Sequence, residues 1–546
     1  MSRFLERTGL EAAGGFSRLF LDFARQPSAG LPPFLEGVSR SRDRWLEVLE
    51  RTEAGVREEN RETSRAVRDE IVSLSARLGT REGVLDKIRA VGNREAFFVA
   101  AGQQPGVFGG PLLTLYKVLT AVALARILEE AISRPIVPLY WCGGDDSDFQ
   151  EIRGFSLVTQ KSTPISALLP QQAHTPGMAA GDIDLEWSRH LWANVRQFIE
   201  EFENSGFVTG VVDGAFDAAR DHGELASAVL VALTGGSLAV VDGRSPAVRR
   251  HAQPIIIDYV THEDEVKRAV IDEGERLRQA GYHAQLTVGD DSGVFLLEDG
   301  VRKNVTRERR PQLIAAARDE VERCSPGVIA RNLVQDFALK PIAVVLGPAE
   351  IAYRCQMGAL YTRFGVPAPI PVPRLSATFV PPELAAILQA EGGAAAEALL
   401  KDPPAFARSI CERSLPPSLR EAANAFEKEV LEAADRFSRA VDADASRKAA
   451  ARIRAKLSDM RGRTALAAAS VSDVGKAIAL ERWAFLADIA TLVEPGGKPQ
   501  ERTLSLLVPY LFGGPGACED LHAIGSIYAD DLLDGRTEHI VYSLTS

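Results

Sequence analysis

The strongest constraint on the fold is a pattern of strand, loop, helix and strand that occurs twice in the chain. The first copy reads AFFVAA, the turn-rich loop GQQPGVFGGP, the helix-length segment LLTLYKVLTAVALARILEEA and the apolar run PIVPLYW. The second copy reads IAVVL, Gly347-Pro348, AEIAYRCQMGALYTRFG and PAPIPV. Parallel strands need a crossover connection, and a helix between two apolar strands supplies one. The pattern therefore predicts an α/β protein with one parallel sheet that a long insertion interrupts.

The segments around this pattern are predicted to be largely helical. An N-terminal helical segment is predicted over 1–90. Within it, residues 36–90 contain apolar positions that mostly recur three or four apart, among them Trp45, Val48, Val56 and Ile71, which is the period of a helix. The core is predicted over 91–382, with the insertion at about 155–325. Within the insertion, SLAVVD (237–242) is a candidate further strand of the sheet, and QLTV with VFLLEDGVRKNV reads as a hairpin-like pair.

After residue 382 the chain becomes rich in Ala, Glu and Arg. A regular apolar series with spacings of four and three is typical of a coiled-coil seam, and its members are Leu419, Ala423, Phe426, Val430, Ala433, Phe437 and Ala440. We predict a helical coiled-coil domain over 383–495 that includes an antiparallel hairpin. The segment 496–546 is expected to return to the core and to end in a strand at EHIVYSL.

Composition excludes several classes of function. The 546 residues carry 63 Lys and Arg against 74 Asp and Glu, a formal net charge of −11, and no basic block. Nucleic acid is therefore not an expected partner, because phosphate neutralisation needs a basic surface. The apolar helix at 112–128 is broken by Lys117 and Arg126, so no membrane span is predicted. Five cysteines without CxxC spacing indicate reduced thiols, and the protein is expected to be cytoplasmic.

Four predicted strands end in polar loops, and ligands bind outside the carboxyl ends of parallel strands. These loops are Gly102 to Pro111, Cys142 to Glu151, Gly347 to Glu350 and Pro373 to Thr378. The first has four glycines before a helix, an arrangement that suits an anion but that also occurs in simple tight turns. We expect the four loops to meet in one cleft.

The second loop, GGDDSDFQEI, places Asp145, Asp146, Asp148 and Glu151 close together. One carboxylate is a candidate to deprotonate a substrate amine while another holds an ammonium group or a divalent ion. The alternative is a solvated acidic turn.

Basic candidates at the strand ends are Lys117, Arg331, Arg354 and Arg374, since an arginine fork suits a carboxylate or phosphate. A residue of this kind, taken alone, is more often part of a surface ion pair. Cys142 is interpreted as a buried structural thiol. The histidines show no zinc-ligand spacing, and no metal site is predicted.

The same loops resemble the bacillithiol biosynthesis cysteine-adding enzymes of the BshC type. The matching stretches are AGQQPGVFGGPLLTLYK (101–117), PLYWCGGDDSDFQEI (138–152), SPGVIARNLVQDF (325–337), GPAEIAYRCQ (347–356), VPAPIPVPRLSATFV (366–380) and GGKPQER (496–502). They occur across nearly the whole chain, which makes the combination more specific than any single motif.

The resemblance implies a Rossmann-like core related to class I nucleotidyltransferases, with inserted connective segments and a coiled-coil domain that forms a homodimer. The implied reaction joins the carboxylate of cysteine to the amine of glucosaminyl-malate. The activating cosubstrate is unknown, and a nucleotide, ATP or ADP, is a candidate.

The residues and the resemblance together predict the site. We expect catalytic roles for Asp146, Asp148 and Lys117. The predicted substrate-binding or nucleotide-binding residues are Gln103, Gln104, Gly106, Gly109, Tyr116, Arg331, Glu350, Tyr353, Arg374 and Ser376.

The chain departs from the expected family pattern at two positions. Ser147 stands within the acidic motif that is expected to read EDHD, and Tyr116 stands where some members have His. Two alternatives to the ligase therefore stay open. One is a nucleotide-dependent ligase or nucleotidyltransferase acting on another amine, and the other is a catalytically impaired dimeric binding protein.

Overall fold

Five parallel strands form the central sheet of the protein, in the order β11-β10-β2-β3-β6. The structure is a computed structural model that describes residues 4–25, 42–54, 61–91, 96–159 and 164–544. The strands are β1 (Phe4–Thr8), β2 (Phe97–Gln103), β3 (Ile136–Cys142), β4 (Gly154–Val158), β5 (Pro164–Leu168), β6 (Ala239–Asp242), β7 (Val294–Glu298), β8 (Val301–Lys303), β9 (Cys324–Pro326), β10 (Ala343–Leu346), β11 (Ile370–Pro373), β12 (Ser376–Phe379) and β13 (His539–Ser543).

Helices cover both faces of this sheet and form most of the remaining structure. They are α1 (Leu10–Ala13), α2 (Arg18–Ala24), α3 (Arg42–Ala54), α4 (Arg61–Arg77), α5 (Glu82–Val91), α6 (Leu112–Ile132), α7 (Phe149–Ile152), α8 (Leu185–Ile199), α9 (Ser205–Ala218), α10 (His222–Leu233), α11 (Pro246–His251), α12 (Gln253–Thr261), α13 (Glu263–Gln279), α14 (Arg310–Asp319), α15 (Val328–Leu339), α16 (Pro348–Arg354), α17 (Gly358–Phe364), α18 (Pro382–Glu391), α19 (Ala395–Lys401), α20 (Pro403–Arg413), α21 (Pro417–Asp444), α22 (Arg447–Ala469), α23 (Val471–Arg482), α24 (Ile489–Val493), α25 (Val508–Gly513) and α26 (Gly516–Leu533).

The order of the central strands confirms a Rossmann-like sheet. Numbered along the chain, its five strands lie in the order 5-4-1-2-3, because the chain starts in the middle at β2, moves outward through β3 to β6, and then returns to β10 and β11. The direction of winding reverses between β2 and β10, which are neighbours. In folds of this kind the ligand crevice lies at that reversal. The predicted strand at 237–242 is confirmed as β6.

The sheet is buried on both faces because its strands carry apolar side chains on both. In β3, Ile136 and Tyr140 pack into one apolar core, whereas Val137, Leu139 and Trp141 pack into the core on the opposite face. This alternation is the period of two expected of an extended chain. The polar residues of the sheet are consequently confined to the strand ends.

Smaller sheets surround the core. The closing strand predicted at EHIVYSL is confirmed as β13, which pairs antiparallel with β1 and parallel with β12. The hairpin prediction in the insertion is only partly right. β7 pairs with β8 around Asp299 and Gly300, both with positive φ, whereas QLTV lies outside any strand. An Asp-Gly turn suits a tight hairpin, and VFLLEDGVRK contains both of its strands.

Helices α21 and α22 form an antiparallel hairpin, as predicted. Arg454 of α22 pairs with Asp442 of α21 at 2.6 Å, and Arg461 pairs with Asp435 farther from the turn. The seam inferred from the sequence does not face α22. Leu419, Phe426 and Phe437 are 43%, 49% and 53% exposed. The hairpin therefore leaves an apolar strip on its outer side.

The helices next to this hairpin join the main core. Leu388 of α18, Leu399 of α19 and Phe406 of α20 belong to the same apolar cluster as one face of the sheet. The domain boundaries proposed from sequence stay predictions. Helices α3 to α5 occupy part of the predicted N-terminal helical segment, and Val56 lies outside the described residues. Across the described part of the chain, none of the helices has the length and apolar character needed to cross a lipid bilayer.

Candidate active-site cleft

A cleft of about 330 Å³ opens at the carboxyl ends of β2 and β10, where the winding of the sheet reverses. The predicted residues that line it are Gln103, Gln104, Lys117, Asp146, Arg331, Glu350, Tyr353 and Arg374. All four polar loops contribute to these walls. The structure therefore shows the four loops meeting in one cleft, as expected. The roles of the individual residues stay predictions.

Lys117 lies at the inner end of the cleft on α6 and is almost completely buried. Its ammonium group donates to the carbonyl of Gly102 at 2.7 Å and to Oε1 of Gln103 at 2.9 Å, and it pairs with Oε2 of Glu350 at 2.6 Å. Burial lowers the pKa of Lys117, although the carboxylate of Glu350 opposes that shift. The side chain thus links the ends of β2 and α16 through a single cation.

Glu350 is held by the local structure of α16. Its carboxylate accepts a hydrogen bond from the backbone N–H of Gly347 at 2.5 Å, three residues earlier at the helix start. A carboxylate at that position satisfies one of the free N–H groups of the first helical turn. The start of α16 therefore fixes the counterion of Lys117.

Of the four carboxylates in the acidic loop, Glu151 and Asp146 line the cleft, and Asp146 is the one aspartate among them. Nη1 of Arg331 donates to its Oδ2 at 3.0 Å, and Nη1 of Arg302 lies 3.6 Å from its Oδ1. Burial favours the neutral acid, but Arg331 outweighs it, and the pKa of Asp146 is lowered. The lowered pKa favours the ionised form of Asp146 and makes its carboxylate a weaker base.

The other two aspartates of this loop lie elsewhere. Asp145 is buried behind the cleft, with its Oδ1 3.5 Å from Nε of Arg331. Asp148 is exposed, and its Oδ1 accepts from the backbone N–H of Glu151 at the start of α7. The catalytic role expected for Asp148 is not supported, because the side chain caps a helix and does not line the cleft.

Arg374 forms a buried ion pair with Glu501. Its Nη1 donates to Oε2 of Glu501 at 2.8 Å, and Nη2 bonds the other oxygen. Burial raises the pKa of Glu501, but the guanidinium of Arg374 more than compensates, so the pKa of Glu501 lies below its ordinary value. Arg374 thus lies in the cleft wall, and its positive charge is balanced by the carboxylate of Glu501.

The glycine-rich loop does not form the expected anion cradle. Gly106 and Gly109 are buried and do not line the cleft. A Cβ on Gly106 would lie 2.6 Å from Cα of Gly110, and one on Gly109 would lie 2.7 Å from Leu506. The N–H of Leu112, at the start of α6, bonds the carbonyl of Leu504. The glycines are needed for close packing of the chain and not for contact with a ligand.

The same loop is supported from behind by a neutral histidine. Nε2 of His222 lies 3.0 Å from the carbonyl oxygen of Pro105, and Nδ1 lies 3.1 Å from Oγ of Ser188. Burial lowers the pKa of His222 to about 4. Since a carbonyl can only accept, Nε2 carries the proton and Nδ1 accepts from Ser188. His222 thereby fixes the loop that carries Gln103 and Gln104.

Two further predicted binding residues lie outside the cleft lining. The hydroxyl of Tyr116 is fully buried 3.1 Å from that of Tyr542. Oγ of Ser376 is 2.8 Å from Nδ1 of His539, beside a separate cavity of about 20 Å³. These two assignments are therefore corrected: Tyr116 joins α6 to β13, and Ser376 joins the neighbouring strands β12 and β13. Cys142 is buried, as expected of a structural thiol.

Several cleft residues were missed by the sequence interpretation. Asn332 and Gln335 of α15 and Arg502 of the turn after α24 line the cleft with the predicted residues. Gln335 follows Arg331 by four positions, so helical spacing alone could have found it. Arg502 lies within GGKPQER, but it has no strand-end signal. Among the described residues, no cluster of His, Cys, Asp and Glu is suited to hold a metal ion.

Comparison with known proteins places this geometry in a family. The sequence model for the N-terminal Rossmann-like domain of bacillithiol biosynthesis BshC matches residues 10–375. A "Putative cysteine ligase BshC" of Natranaerobius thermophilus is 25% identical over 322 residues, which are 56% of this chain and 59% of that protein. The protein of the same name from Koribacter versatilis is 28% identical over 361 residues, 64% of this chain and 66% of the relative.

These alignments span about three fifths of the length of the curated relatives. A solved structure of a "putative arginyl t-RNA synthetase" from Campylobacter jejuni covers 86% of this chain and 98% of its own at 11% identity, but its TM-score of 0.21 carries no argument. The family match spans more than half of the chain and includes β2, α6, the acidic loop, α15 and β10. The chain therefore belongs to the BshC family of bacillithiol biosynthesis.

Proposed function

We propose that this protein is a cysteine ligase that joins the carboxylate of cysteine to the amine of glucosaminyl-malate, forming bacillithiol. The observation that carries the proposal is the family match over residues 10–375, which include Lys117, Asp146, Glu350 and Arg374 of the cleft. The names of the curated relatives, which specify a cysteine ligase, support the same substrate.

The charges of the cleft support distinct roles for its residues. Asp146, held ionised by Arg331, binds the ammonium form of a substrate amine. A carboxylate with a lowered pKa is a poor acceptor of that proton, so Asp146 positions the amine, and the proton passes to water before the amine attacks. Lys117, at the inner end, provides positive charge where negative charge develops on the acyl oxygen during amide formation.

Amide formation from a carboxylate requires that one carboxylate oxygen leave, and this step needs activation. In the adenylate route, the carboxylate attacks the α-phosphorus of ATP and releases pyrophosphate, and the amine then displaces AMP. In the phosphate route, the carboxylate accepts the γ-phosphoryl group and releases ADP, and the amine then displaces phosphate. A crevice at the reversal point of a Rossmann-like sheet supports a nucleotide in this cleft, and a relation of the core to class I nucleotidyltransferases is part of this proposal.

The two departures from the family pattern do not weaken the proposal. Tyr116 is buried against Tyr542, and Ser147 does not line the cleft. The backbone N–H of Ser147 donates to Asp146 at 2.7 Å, a bond that a different side chain at this position would preserve. These positions therefore favour an active enzyme over a catalytically impaired binding protein.

The experiment incubates the purified protein with cysteine, glucosaminyl-malate and either ATP or ADP, and detects bacillithiol by mass spectrometry. With ATP, AMP and pyrophosphate as the coproducts identify the adenylate route, and ADP and phosphate identify the phosphate route. Cells that lack the protein should lose bacillithiol and accumulate glucosaminyl-malate. Unchanged bacillithiol in those cells would exclude the proposed function.

The protein is further proposed to act as a homodimer through the hairpin of α21 and α22. Leu419, Phe426 and Phe437 lie on its exposed side at coiled-coil spacing, and Leu466 of α22 is 73% exposed. Soluble chains rarely leave a continuous apolar strip in water, and a second copy of the same strip would cover it.

A further inference from the structure

The basic residues that line the inner cleft already have carboxylate partners. Lys117 pairs with Glu350 and Arg331 pairs with Asp146. In the same way, Arg354 pairs with Asp336 at 2.8 Å, and Arg374 pairs with Glu501. An anionic substrate that entered this part of the cleft would meet cations whose charge is matched by a neighbouring carboxylate.

Arg502 is different from these residues. It lines the cleft and is exposed, and its guanidinium forms no ion pair or hydrogen bond with any residue in the described part of the chain. It therefore offers a complete guanidinium fork to a ligand.

The turn that carries Arg502 is firmly anchored by the two residues before it. The side-chain amide of Gln500 accepts from the N–H of Phe379 at 2.9 Å and donates to the carbonyls of Phe379 and Leu492. Glu501 is buried in its ion pair with Arg374. Arg502 follows directly, so its backbone position is fixed although its side chain is free to meet a ligand.

We infer that Arg502 binds the anionic group of the substrate, a carboxylate or a phosphate, at the mouth of the cleft. The planar fork matches either group through two parallel hydrogen bonds. The inference rests on the proposed function only in placing the substrate in this cleft. It adds a residue that no strand-end motif predicts, contributed by the segment that follows the helical hairpin.

The test measures equilibrium binding by calorimetry at low salt, with L-malate as the carboxylate probe and inorganic phosphate as the phosphate probe. Arg502→Gln should weaken binding of at least one probe about tenfold, and Arg502→Lys should recover part of the loss because it restores the charge without the fork. Arg268→Gln is the matched control, since Arg268 is also exposed but lies on α13 outside the cleft. A loss confined to malate assigns a carboxylate, and a loss confined to phosphate assigns a phosphate.

Three results would overturn the inference: equal affinities in Arg502→Gln and the unaltered protein, equal losses in Arg502→Gln and Arg268→Gln, or no binding of either probe to the unaltered protein. Unchanged thermal unfolding of each variant shows that the fold is intact. The binding measurement requires no turnover. A protein that failed to add cysteine could therefore still confirm that Arg502 binds an anion, and an active ligase could still exclude that role for Arg502.

Discussion

Asp146 and Asp148 are two positions apart, yet the fold places their side chains in different surroundings. Asp146 faces Arg331 inside the cleft, whereas Asp148 caps α7 in solvent. Asp146→Asn should lower cysteine-dependent amide formation by about a hundredfold or more, because it removes the charge that we propose holds the substrate amine. Asp148→Asn is the matched control and should keep full activity, since asparagine caps a helix as well as aspartate does.

Both variants should be compared by turnover and by thermal unfolding on the same preparations. Full activity in Asp146→Asn would contradict the proposed anchor. Lost activity in Asp148→Asn with the fold retained would contradict the capping interpretation.

The ion pair of Glu501 predicts a specific dependence of stability on pH. Its folded pKa lies below the unfolded value of about 4.3, so its stabilising contribution is present above that value and is lost as the pH falls through the folded pKa. Glu501→Gln should lower the free energy of unfolding at pH 7 by about 3 to 5 kcal/mol, because it leaves Arg374 buried without a counterion.

Urea unfolding at pH 7 and at successively lower pH checks this prediction. The difference between Glu501→Gln and the unaltered protein should shrink as the solution becomes more acidic. Glu320→Gln, which alters an exposed carboxylate paired with Arg323, is the control and should show little difference at any pH. A difference for Glu501→Gln that stayed constant with pH would contradict the assigned ion pair.

At this scale the sequence predicted part of the site for a clear physical reason. Lys117, Asp146, Glu350 and Arg374 lie near strand ends, where a parallel sheet collects ligand-binding groups. The prediction that Tyr116 binds a ligand was wrong because consecutive residues of a helix point about 100° apart. Lys117 faces the cleft, and Tyr116 therefore faces away from it.

Among the elements, the glycine-rich loop before α6 has the sequence of an anion-binding loop, but its glycines are required for close packing. Gly109 has a φ of +94°, and its missing side chain leaves room for Leu506. Gly109→Val should destabilise the protein by about 1 to 3 kcal/mol, through backbone strain and the clash with Leu506. The molecules that do fold should retain their turnover, because Gly109 does not line the cleft.

Thermal unfolding and turnover per folded molecule measure the two effects separately. Gly206→Val is the matched control, because Gly206 lies in α9 with no atom close enough to meet a new Cβ. A stable Gly109→Val protein that bound substrate poorly would restore the anion-cradle interpretation.

Elements with strong local signals were predictable, and those set by distant contacts were not. β2 and α6 follow from an apolar run, a glycine-rich loop and a long apolar helix. By contrast, QLTV is apolar but finds no strand partner, because β7 pairs with β8 on one side and β9 on the other. Strand pairing depends on which edge is free in the folded protein, which a local pattern does not contain.

For the whole molecule, the exposed strip on α21 predicts the assembly state. Phe426→Glu with Phe437→Glu should convert a dimer into a soluble monomer, because buried like charges would face each other across the pairing. Lys428→Glu is the control, since Lys428 is exposed on α21 outside the seam and should leave assembly unchanged. Sedimentation at micromolar concentration measures both. A monomeric unaltered protein would exclude the dimer.

The global arrangement of the sheet could be predicted only in outline. Two strand–helix–strand units in the sequence indicated a parallel sheet. The order of their strands within the sheet was not predicted, because it depends on β2 lying between β3 and β10 in the folded protein. Similarly, the C-terminal segment was expected to return to the core, whereas its ion pair with Arg374 and its contribution of Arg502 to the cleft depend on the tertiary structure.

The pairing of Arg374 with Glu501, 127 positions later, also orders events during translation. When Arg374 leaves the ribosome, its counterion has not been synthesised, and burying the guanidinium alone would be costly. β1 likewise waits for its partner β13, which is made after Glu501. The nascent chain therefore cannot complete its cleft before Glu501 has been made. Chains stalled before Glu501 should remain open to proteases around Arg374.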